Sequence, residues 1–319
     1  MLSYTIRRVL AMIGMMLAGS FLIYLCLDLM PGDAASYMVD PEVWIYMTEA
    51  EKEALREALG LNGNVLVRYG KWLWGVLHGD FGYSLTSGVA ISQIVGETLP
   101  ATLELSFAAL LISSILGILL GILGALRRGR MSDYVLTVAS LLGMSIPVFF
   151  LGLVSLLVFA INLGWFPIGG RMTAGEEFFF QRLDHLVLPA TVLSVFLMAS
   201  TMRFARSSML DASSKEFLRT ARSKGVPEWR VNFFHGFRVA MNPVVVLIGL
   251  RLPMLVSGAV IIETVFQWPG IGKMFVTAVR GQNYPLVMMI ALILIAVTMF
   301  ASFLVDLLTA LMDPRVRLE

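Results

Sequence analysis

The chain has 319 residues, 24 Lys and Arg against 22 Asp and Glu, and a formal net charge of +2. Only 14% of its residues are charged, against about 25% in a typical soluble domain. The hydrophobic share of 58% and the mean hydropathy of +0.81 exceed what a soluble fold can bury. The small net charge excludes a nucleic-acid binder, and the single cysteine, Cys26, excludes a disulfide framework and a Cys-based metal site. The composition therefore predicts a polytopic protein of the lipid bilayer.

Six stretches are long and apolar enough, or nearly so, to cross the hydrocarbon core as helices. They cover residues 9–27, 105–126, 134–161, 186–202, 239–262 and 286–305. Pro147, Pro189 and Pro253 lie within the third, fourth and fifth of them, where proline kinks or breaks a helix. Unpaired backbone groups cannot face lipid, so every span is predicted to be helical. The predicted fold is an all-α polytopic membrane protein with six transmembrane helices.

Lysine and arginine in the loops predict the orientation, because cytoplasmic loops carry the excess of both. With the N- and C-termini cytoplasmic, the inner segments hold fifteen basic residues and the outer loops hold eight. The first apolar run is longer than a signal-peptide core and no small-residue cleavage site follows it before Pro31-Gly32-Asp33. We therefore interpret it as an uncleaved first span.

The long outer loop contains a predicted helix over residues 48–59. A capping box of Thr48 and Glu51 begins this helix, and Gly60 ends it. The predicted segments are a tail with the first span (1–30), an extracytoplasmic loop with a short helix (31–103), a five-helix core (104–312) containing a cytoplasmic loop (203–242), and a cytoplasmic tail (313–319).

The sequence offers no catalytic or metal site. His78, His185 and His235 are far apart and none has a ligand partner at metal spacing. Residues 270–274, Gly-Ile-Gly-Lys-Met, lack the first glycine of a phosphate loop and the Ser or Thr that follows its lysine. We therefore expect no cofactor in this chain and no ATP hydrolysis by it alone. An intramembrane enzyme would need clustered catalytic side chains, which the spans do not offer.

Arg251 is the one charged residue in the middle of a predicted span. Arginine at a helix centre costs about 2.5–3.5 kcal/mol on insertion scales, so it is a functional candidate by default. The alternative is a structural position facing a water-filled cavity or a carboxylate of a partner subunit. Pro147 and Pro253 free backbone carbonyls that must face protein or water, which is compatible with a translocation path.

A small-residue pattern, Gly117 with Gly121, lies in the second span. Glycines four residues apart let two membrane helices approach closely. We expect these glycines to pack against another helix of the same chain.

The cytoplasmic loop contains a short predicted helix over residues 214–224. Ser213 is its predicted N-cap, with Glu216 completing a capping box, and Gly225 ends it. Phe217, Leu218 and Ala221 form its apolar stripe, and basic residues lie around them. A helix this short is marginal alone, so it must dock on something. The residues by themselves leave open whether the partner is anionic lipid or a groove in a soluble protein.

Residues 216–225, Glu-Phe-Leu-Arg-Thr-Ala-Arg-Ser-Lys-Gly, resemble the "EAA" loop of permease subunits of binding-protein-dependent ABC importers. The match is to the dipeptide/oligopeptide/nickel branch, with mild departures at Phe217, Leu218 and Ser223. Other segments that resemble this branch are residues 7–8, 29–33, 79–84, 99–104, 263–270, 283–285 and 313–315. Together they are most similar to the B-type member of the paired permeases.

The resemblance implies a type I ABC importer permease in a prokaryotic inner (cytoplasmic) membrane. Its partners would be a homologous second permease subunit, two ATPase subunits that bind ATP and Mg, and an extracytoplasmic solute-binding protein. The predicted helix 214–224 would be the coupling helix, seated in a cleft of an ATPase subunit. The residues that the resemblance places in this contact are Glu216 as cap and anchor, Phe217, Ala221 for close approach, Arg222, Lys224, and Gly225 for the turn.

The resemblance also gives a context to the pathway. Family members commonly carry an uncharged residue, often Gln, where this chain has Arg251. We expect Arg251 to face the pathway, with Pro147 and Pro253 at breaks of its helices, and to interact with an anionic group of the substrate or of the partner permease.

The predicted function is import of di- or oligopeptides by alternating access. The same machine could carry another polar solute, such as an oligosaccharide, a nickel chelate or an opine-like compound. A stand-alone ion-coupled carrier is a third possibility, but four of the six spans contain no charged residue.

Overall fold

The structure is a computed structural model that describes residues 2–29, 35–36, 39, 41–58, 62–173 and 179–312. These residues form helices and connecting turns, with one isolated antiparallel bridge between Tyr83 and Ala90 and no strand. Residues 31–33, the predicted helix end at Gly60 and the tail 313–319 lie outside the described residues.

Fourteen α-helices are defined in the described part of the chain, two of them extended by π-helical segments. Their bounds are α1 Leu2–Asp28, α2 Pro41–Tyr46, α3 Glu49–Ala58, α4 Val65–Leu77, α5 Ile91–Leu126, α6 Met131–Ser145, α7 Val148–Ser155 with a π segment Leu156–Asn162, α8 Phe179–Ser213, α9 Glu216–Ser223, α10 Glu228–Arg230 with a π segment Val231–Gly236, α11 Phe237–Gly249, α12 Leu252–Val265, α13 Ile271–Arg280 and α14 Tyr284–Met312.

Five helical stretches are long and apolar enough to cross a membrane, and a bent pair makes a sixth within the described residues. The five are Ile6–Asp28, Ile91–Leu126, Arg182–Ser213, Glu228–Gly249 and Tyr284–Leu307. The pair is Met131–Ser145 and Val148–Asn162, which meet at an angle of 102°. The predicted all-α fold with six spans is confirmed.

The fifth predicted span, 239–262, is divided between two helices. α11 ends at Gly249 and α12 begins at Leu252, so the break falls at Leu250 and Arg251. Pro253 stands in the first turn of α12, where its missing N–H leaves no helical hydrogen bond unmade. The candidate span therefore runs from Glu228 to Gly249, and the break that Arg251 and Pro253 predict is present.

The chain forms two compact units. One consists of Met1–Pro100 with Gly270–Met299, and the other of Ala101–Pro269 with Phe300–Glu319. This grouping follows three-dimensional contacts, whereas the predicted segments at 1–30, 31–103, 104–312 and 313–319 follow the sides of the membrane. Those segment boundaries stay a prediction.

In the first unit, α4 packs on α1 through one polar and several aromatic contacts. The hydroxyl oxygens of Ser20 and Tyr69 lie 2.8 Å apart, and Arg68 donates to Asp28 over 2.6 Å. The ring of Tyr69 also contacts those of Phe21 and Tyr24 edge-on. These contacts hold α4 against α1, the helix of the first candidate span.

The predicted capping box at α3 is present. Glu51 accepts from the backbone N–H of Thr48 over 2.7 Å, and the N–H of Glu51 lies 3.3 Å from the Thr48 hydroxyl oxygen. These hydrogen bonds hold the pKa of the exposed Glu51 carboxyl below its usual value. Ala58 is the last residue of the helix, so the stop predicted at Gly60 is not tested.

The core of the second unit gathers around α8. Gly117 and Gly121 of α5 face it so closely that an added Cβ would lie 2.8 Å from Thr201 Cβ and 2.6 Å from the Met202 carbonyl oxygen, respectively. The expectation that this glycine pair packs within the chain is confirmed. Only glycine lets the two backbones meet at this crossing.

Polar contacts also join elements of this unit. The hydroxyl of Thr102, on α5, donates to the fully buried Glu263 of α12, and the indole N–H of Trp268 donates to the Ala101 carbonyl over 2.8 Å. Arg171 donates to Glu104 over 2.8 and 2.5 Å. These bonds fix α5 to the end of α12 and to the loop after α7.

Candidate functional site

α9 follows α8 after only two residues, Ser214 and Lys215. The predicted capping box at its start is wrong, because Ser213 is the last residue of α8 and its hydroxyl donates to the Leu210 carbonyl over 2.7 Å. A serine hydroxyl that bonds back to its own helix is not free to cap the next one. Lys215 is the N-cap, without a side-chain cap, and α9 spans Glu216–Ser223 instead of 214–224. Glu216 is the first residue of the helix, where its negative carboxylate interacts favourably with the positive end of the helix dipole.

The end of α9 is a Schellman motif, as the predicted stop at Gly225 requires. The Gly225 N–H donates to the Arg222 carbonyl over 2.9 Å, and the Val226 N–H donates to the Ala221 carbonyl over 3.2 Å. Gly225 has a φ of 76°, a left-handed conformation that costs other residues about 1–2 kcal/mol. The glycine thus turns the chain sharply back toward Pro227.

The inner side of α9 rests on its own chain through Leu218, which has no solvent exposure. A Cβ placed on Gly236 would lie 3.5 Å from Leu218 Cδ1 and 3.6 Å from Met209 Cε. Leu218 therefore fills the space between the last turns of α8 and the π segment Val231–Gly236. Burying a leucine stabilises such contacts by about 1.5–3 kcal/mol, which explains how a helix of two turns holds its place.

The outer side of α9 carries most of the residues predicted to contact a partner. Phe217 is 44% exposed, Glu216 and Lys224 are exposed, and Ala221 and Arg222 are half-buried. The apolar stripe predicted for this helix is thus divided, because Leu218 faces the chain while Phe217 faces outward. Arg222 donates to Glu228 over 2.9 Å, which ties the helix to the start of α10.

Three exposed aromatic residues follow α9, and the sequence pattern did not single them out. Trp229, Phe233 and Phe234 are 56%, 53% and 65% exposed. The rings of Trp229 and Phe234 are 6.1 Å apart in an edge-on arrangement, and the guanidinium of Arg230 lies 5.1 Å from the Trp229 ring centre. A cluster of aromatic residues next to basic ones in a predicted cytoplasmic loop is the signal that could have found them. We call Phe217 and these three aromatic residues the α9 surface.

The residues predicted for the pathway stand at breaks of the spans. Pro147 is the N-cap of α7, at the 102° bend. Arg251 is the N-cap of α12 and is half-buried; it donates to the Leu197 carbonyl over 3.2 Å and to the Ser200 hydroxyl. Both acceptors are neutral, and no carboxylate of the described residues forms an ion pair with it. The side chain of Pro253 lies outside the described set.

No group of three or more His, Cys, Asp or Glu side chains that could hold a metal ion occurs in the described ranges. His185 is buried against the loop after α7, with its ring nitrogens 3.0 Å from the Thr173 hydroxyl and 3.2 Å from the Gly169 carbonyl. It therefore acts as a packing residue of that loop.

Comparison with known proteins gives the family. Residues 117–318 match the family described as binding-protein-dependent transport system inner membrane component. The chain is 38% identical over 318 residues to the oligopeptide transport system permease protein AppB of Bacillus subtilis, covering 99% of both chains. It is 41% identical over 319 residues to a putative peptide permease protein of Brucella ovis and 34% identical over 341 residues to the di/tripeptide transport system permease protein DppB of Pseudomonas aeruginosa, again with 99% of each chain covered. The chain therefore belongs to the family of binding-protein-dependent transport system inner membrane components, the multi-pass permease subunits of ABC transporters.

Proposed function

We propose that this permease imports peptides, by alternating access, as one of two homologous permease subunits of an ATP-driven importer. The observation that carries the proposal is the full-length similarity to relatives whose names state oligopeptide and di/tripeptide transport. Other polar solutes carried by the same kind of machine are the competing substrates, and nothing in the names of these relatives favours them.

Uptake by cells that express the complete transporter tests the substrate. We expect a radiolabelled tripeptide to accumulate, and unlabelled di- and tripeptides to compete with it while a maltooligosaccharide and a nickel chelate do not. Accumulation of the oligosaccharide or the chelate without peptide uptake would contradict the proposal. A control strain without the ATPase genes separates import from passive entry.

The proposed coupling site is α9 with the α9 surface. In this proposal an extracytoplasmic binding protein delivers the peptide, and two ATPase subunits, which hold ATP and Mg²⁺, bind from the cytoplasm. Three properties of α9 support it: the helix is fixed to its own chain by Leu218, it presents Phe217 outward, and Gly225 sets a sharp turn after it. Helix-in-groove docking needs such a rigid helix with an outward anchor.

Each predicted coupling residue has a distinct task in this proposal. Glu216 stabilises the helix start, Phe217 enters the groove, and Ala221 lets the ATPase backbone approach. Arg222, paired with Glu228, ties α9 to the start of α10, and the exposed Lys224 supplies positive charge at the edge of the contact.

Co-purification tests the coupling site. We expect wild-type protein, extracted in mild detergent, to retain a second permease and the ATPase subunits. The double variant Glu216→Ala/Gly225→Pro should keep the second permease and lose the ATPases, since it changes only the first residue of α9 and the turn that follows the helix. Anionic lipid as the sole partner of α9 would give equal ATPase retention in both proteins.

Arg251 is proposed to face the pathway. The two acceptors of this half-buried guanidinium are neutral and do not balance its charge, and a charged side chain in a membrane protein faces water or protein rather than lipid. An anionic group of the peptide or of the partner permease would form an ion pair with the Arg251 guanidinium. Pro147 and Pro253 contribute by breaking the helices that border this region.

A further inference from the structure

Asp133 is one of the most buried carboxylates in the described residues, with 4% of its surface exposed. Arg206 donates to both of its oxygens, from Nε to Oδ1 over 2.6 Å and from Nη2 to Oδ2 over 2.8 Å. The Gly129 N–H donates to Oδ2 over 3.0 Å. This is a bidentate ion pair, in which the planar guanidinium fixes the relative orientation of the two side chains as well as their distance.

The three residues belong to three different parts of the second unit. Asp133 is in the first turn of α6, and Gly129, with a φ of 75°, is in the turn that joins α5 to α6. Arg206 is on α8, two turns before that helix ends at Ser213. One carboxylate therefore joins the α5–α6 turn to the helix that continues into α9.

The ion pair lies beside a close approach of α5 to α8. Where Gly124 of α5 faces the pair, an added Cβ would lie 3.3 Å from Arg206 Cδ and 3.4 Å from Asp133 Oδ1. Further along, Gly121 brings α5 against the backbone of α8. The ion pair thus sits at the end of a close helix crossing, with the Asp133 carboxylate almost completely buried and the Arg206 side chain 30% exposed.

Stability alone is a weak reason for such a pair. Replacing a buried ion pair by apolar side chains is often neutral or stabilising, because the charges lose their water. Two helices joined only by apolar contacts can shift along each other, however, whereas a bidentate ion pair holds them in one register. The position of this pair, between α9 and two spans, is where a fixed register would matter for transport.

We propose that the Asp133–Arg206 ion pair is a positioning pair that transmits the movement of α9, through α8, to α5 and α6. This inference rests on the proposed function, in which the ATPases move α9. Without the pair, α8 moves while the α5–α6 turn lags, so ATP is hydrolysed without a matching movement of the spans.

The test uses the assembled transporter in proteoliposomes with its binding protein, and measures peptide uptake and ATP hydrolysis on the same sample. We expect Asp133→Asn, which keeps the size and the bond from Gly129, to hydrolyse ATP near the wild-type rate while peptide transported per ATP falls about tenfold. Arg206→Lys keeps the charge but not the bidentate geometry, and its transport per ATP should lie between that of the wild type and that of Asp133→Asn. Arg130→Gln removes an exposed charge in the same turn and should match the wild type.

A second experiment restores the connection by other means. In a Cys26→Ser background, Asp133→Cys/Arg206→Cys should be uncoupled, and a short bifunctional thiol reagent that joins the two positions should raise transport per ATP again. Proportional loss of transport and hydrolysis in Asp133→Asn, or a joined pair that stays uncoupled, would overturn the proposal. A wild type that assembles but neither hydrolyses ATP nor transports peptide would instead contradict the proposed function.

Discussion

Leu218 and Phe217 are neighbours in α9 whose side chains point about 100° apart around the helix, one into the chain and one toward its surface. Leu218 is completely buried against the end of α8 and the π segment Val231–Gly236, whereas Phe217 is 44% exposed. One residue therefore fixes the helix to its own chain, and the next is available to a partner. This division allows stability and docking to be separated by single substitutions.

Leu218→Ala should loosen α9. Truncating a buried leucine costs about 2–5 kcal/mol, because it removes apolar contacts and leaves a cavity. We expect the amides of residues 218–223 to exchange hydrogen faster, measured by mass spectrometry, and ATPase retention to fall with them.

Phe217→Ala should separate docking from folding. Because Phe217 faces outward, the amides of α9 should exchange as in the wild type while ATPase retention falls at least as much as in Leu218→Ala. Unchanged retention in Phe217→Ala would mean that the outward side of α9 is not the contact.

Gly225 should tolerate asparagine better than alanine. Its φ of 76° strains residues that have a Cβ, but asparagine adopts this region more readily than most. We expect Gly225→Ala to lower peptide uptake clearly and Gly225→Asn to lower it less. Equal uptake by both variants and the wild type would show that the Schellman turn is not needed for coupling.

Gly121→Ala should destabilise the second unit. Its Cβ would lie 2.6 Å from the Met202 carbonyl oxygen, which is backbone and cannot move aside. Overpacking of this kind costs about 1–3 kcal/mol, so the melting temperature of the purified chain should fall. Gly96→Ala, in the same helix but with nothing within 4 Å, is the matched control and should melt like the wild type.

Arg251→Gln should lower peptide uptake without loss of complex assembly, because it removes the charge but retains a hydrogen-bond donor. Arg251→Lys keeps the charge and should retain more activity. The measurement is initial uptake at saturating binding protein, normalised to the assembled complex. A fully active and stable Arg251→Gln transporter would refute a pathway role.

The stability that the capping box gives to α3 should depend on pH. Hydrogen bonds from Thr48 lower the pKa of Glu51 in the folded chain, so the box stabilises α3 above the unfolded pKa and loses this effect as pH falls through the folded pKa. Carboxyl-carbon NMR titration of the labelled protein should show the lowered value. In Thr48→Ala the Glu51 pKa should move up toward its ordinary value, and an unchanged titration would contradict the box.

The sequence predicts five of the six spans, the glycine crossing and the end of α9, because each depends on local composition or on backbone freedom. The all-α fold of a type I ABC permease follows from these features with the family's motifs. The predicted start of α9 was wrong because the Ser213 hydroxyl can either cap the following helix or donate to a carbonyl of the preceding one. In the structure it donates to the Leu210 carbonyl, and α8 continues through Ser213.

The Asp133–Arg206 pair is a different kind of omission. Asp133 stands one residue before a predicted span and Arg206 four residues after another, so both look like ordinary loop charges. They are 73 residues apart, and only the packing of α6 against α8 brings them together. Patterns in a single sequence do not predict contacts between residues so far apart in the chain.

Photo-cross-linking from position 217 tests the central claim most directly. A benzoylphenylalanine replaces Phe217 in the assembled transporter, and the same residue at Tyr134, exposed on the apolar helix α6, serves as the control. We predict that irradiation joins this chain to an ATPase subunit from position 217 and not from position 134, as identified by mass spectrometry. Adducts from position 217 that contain only lipid, in a sample where the ATPases are present, would contradict the assignment of α9 as the coupling helix.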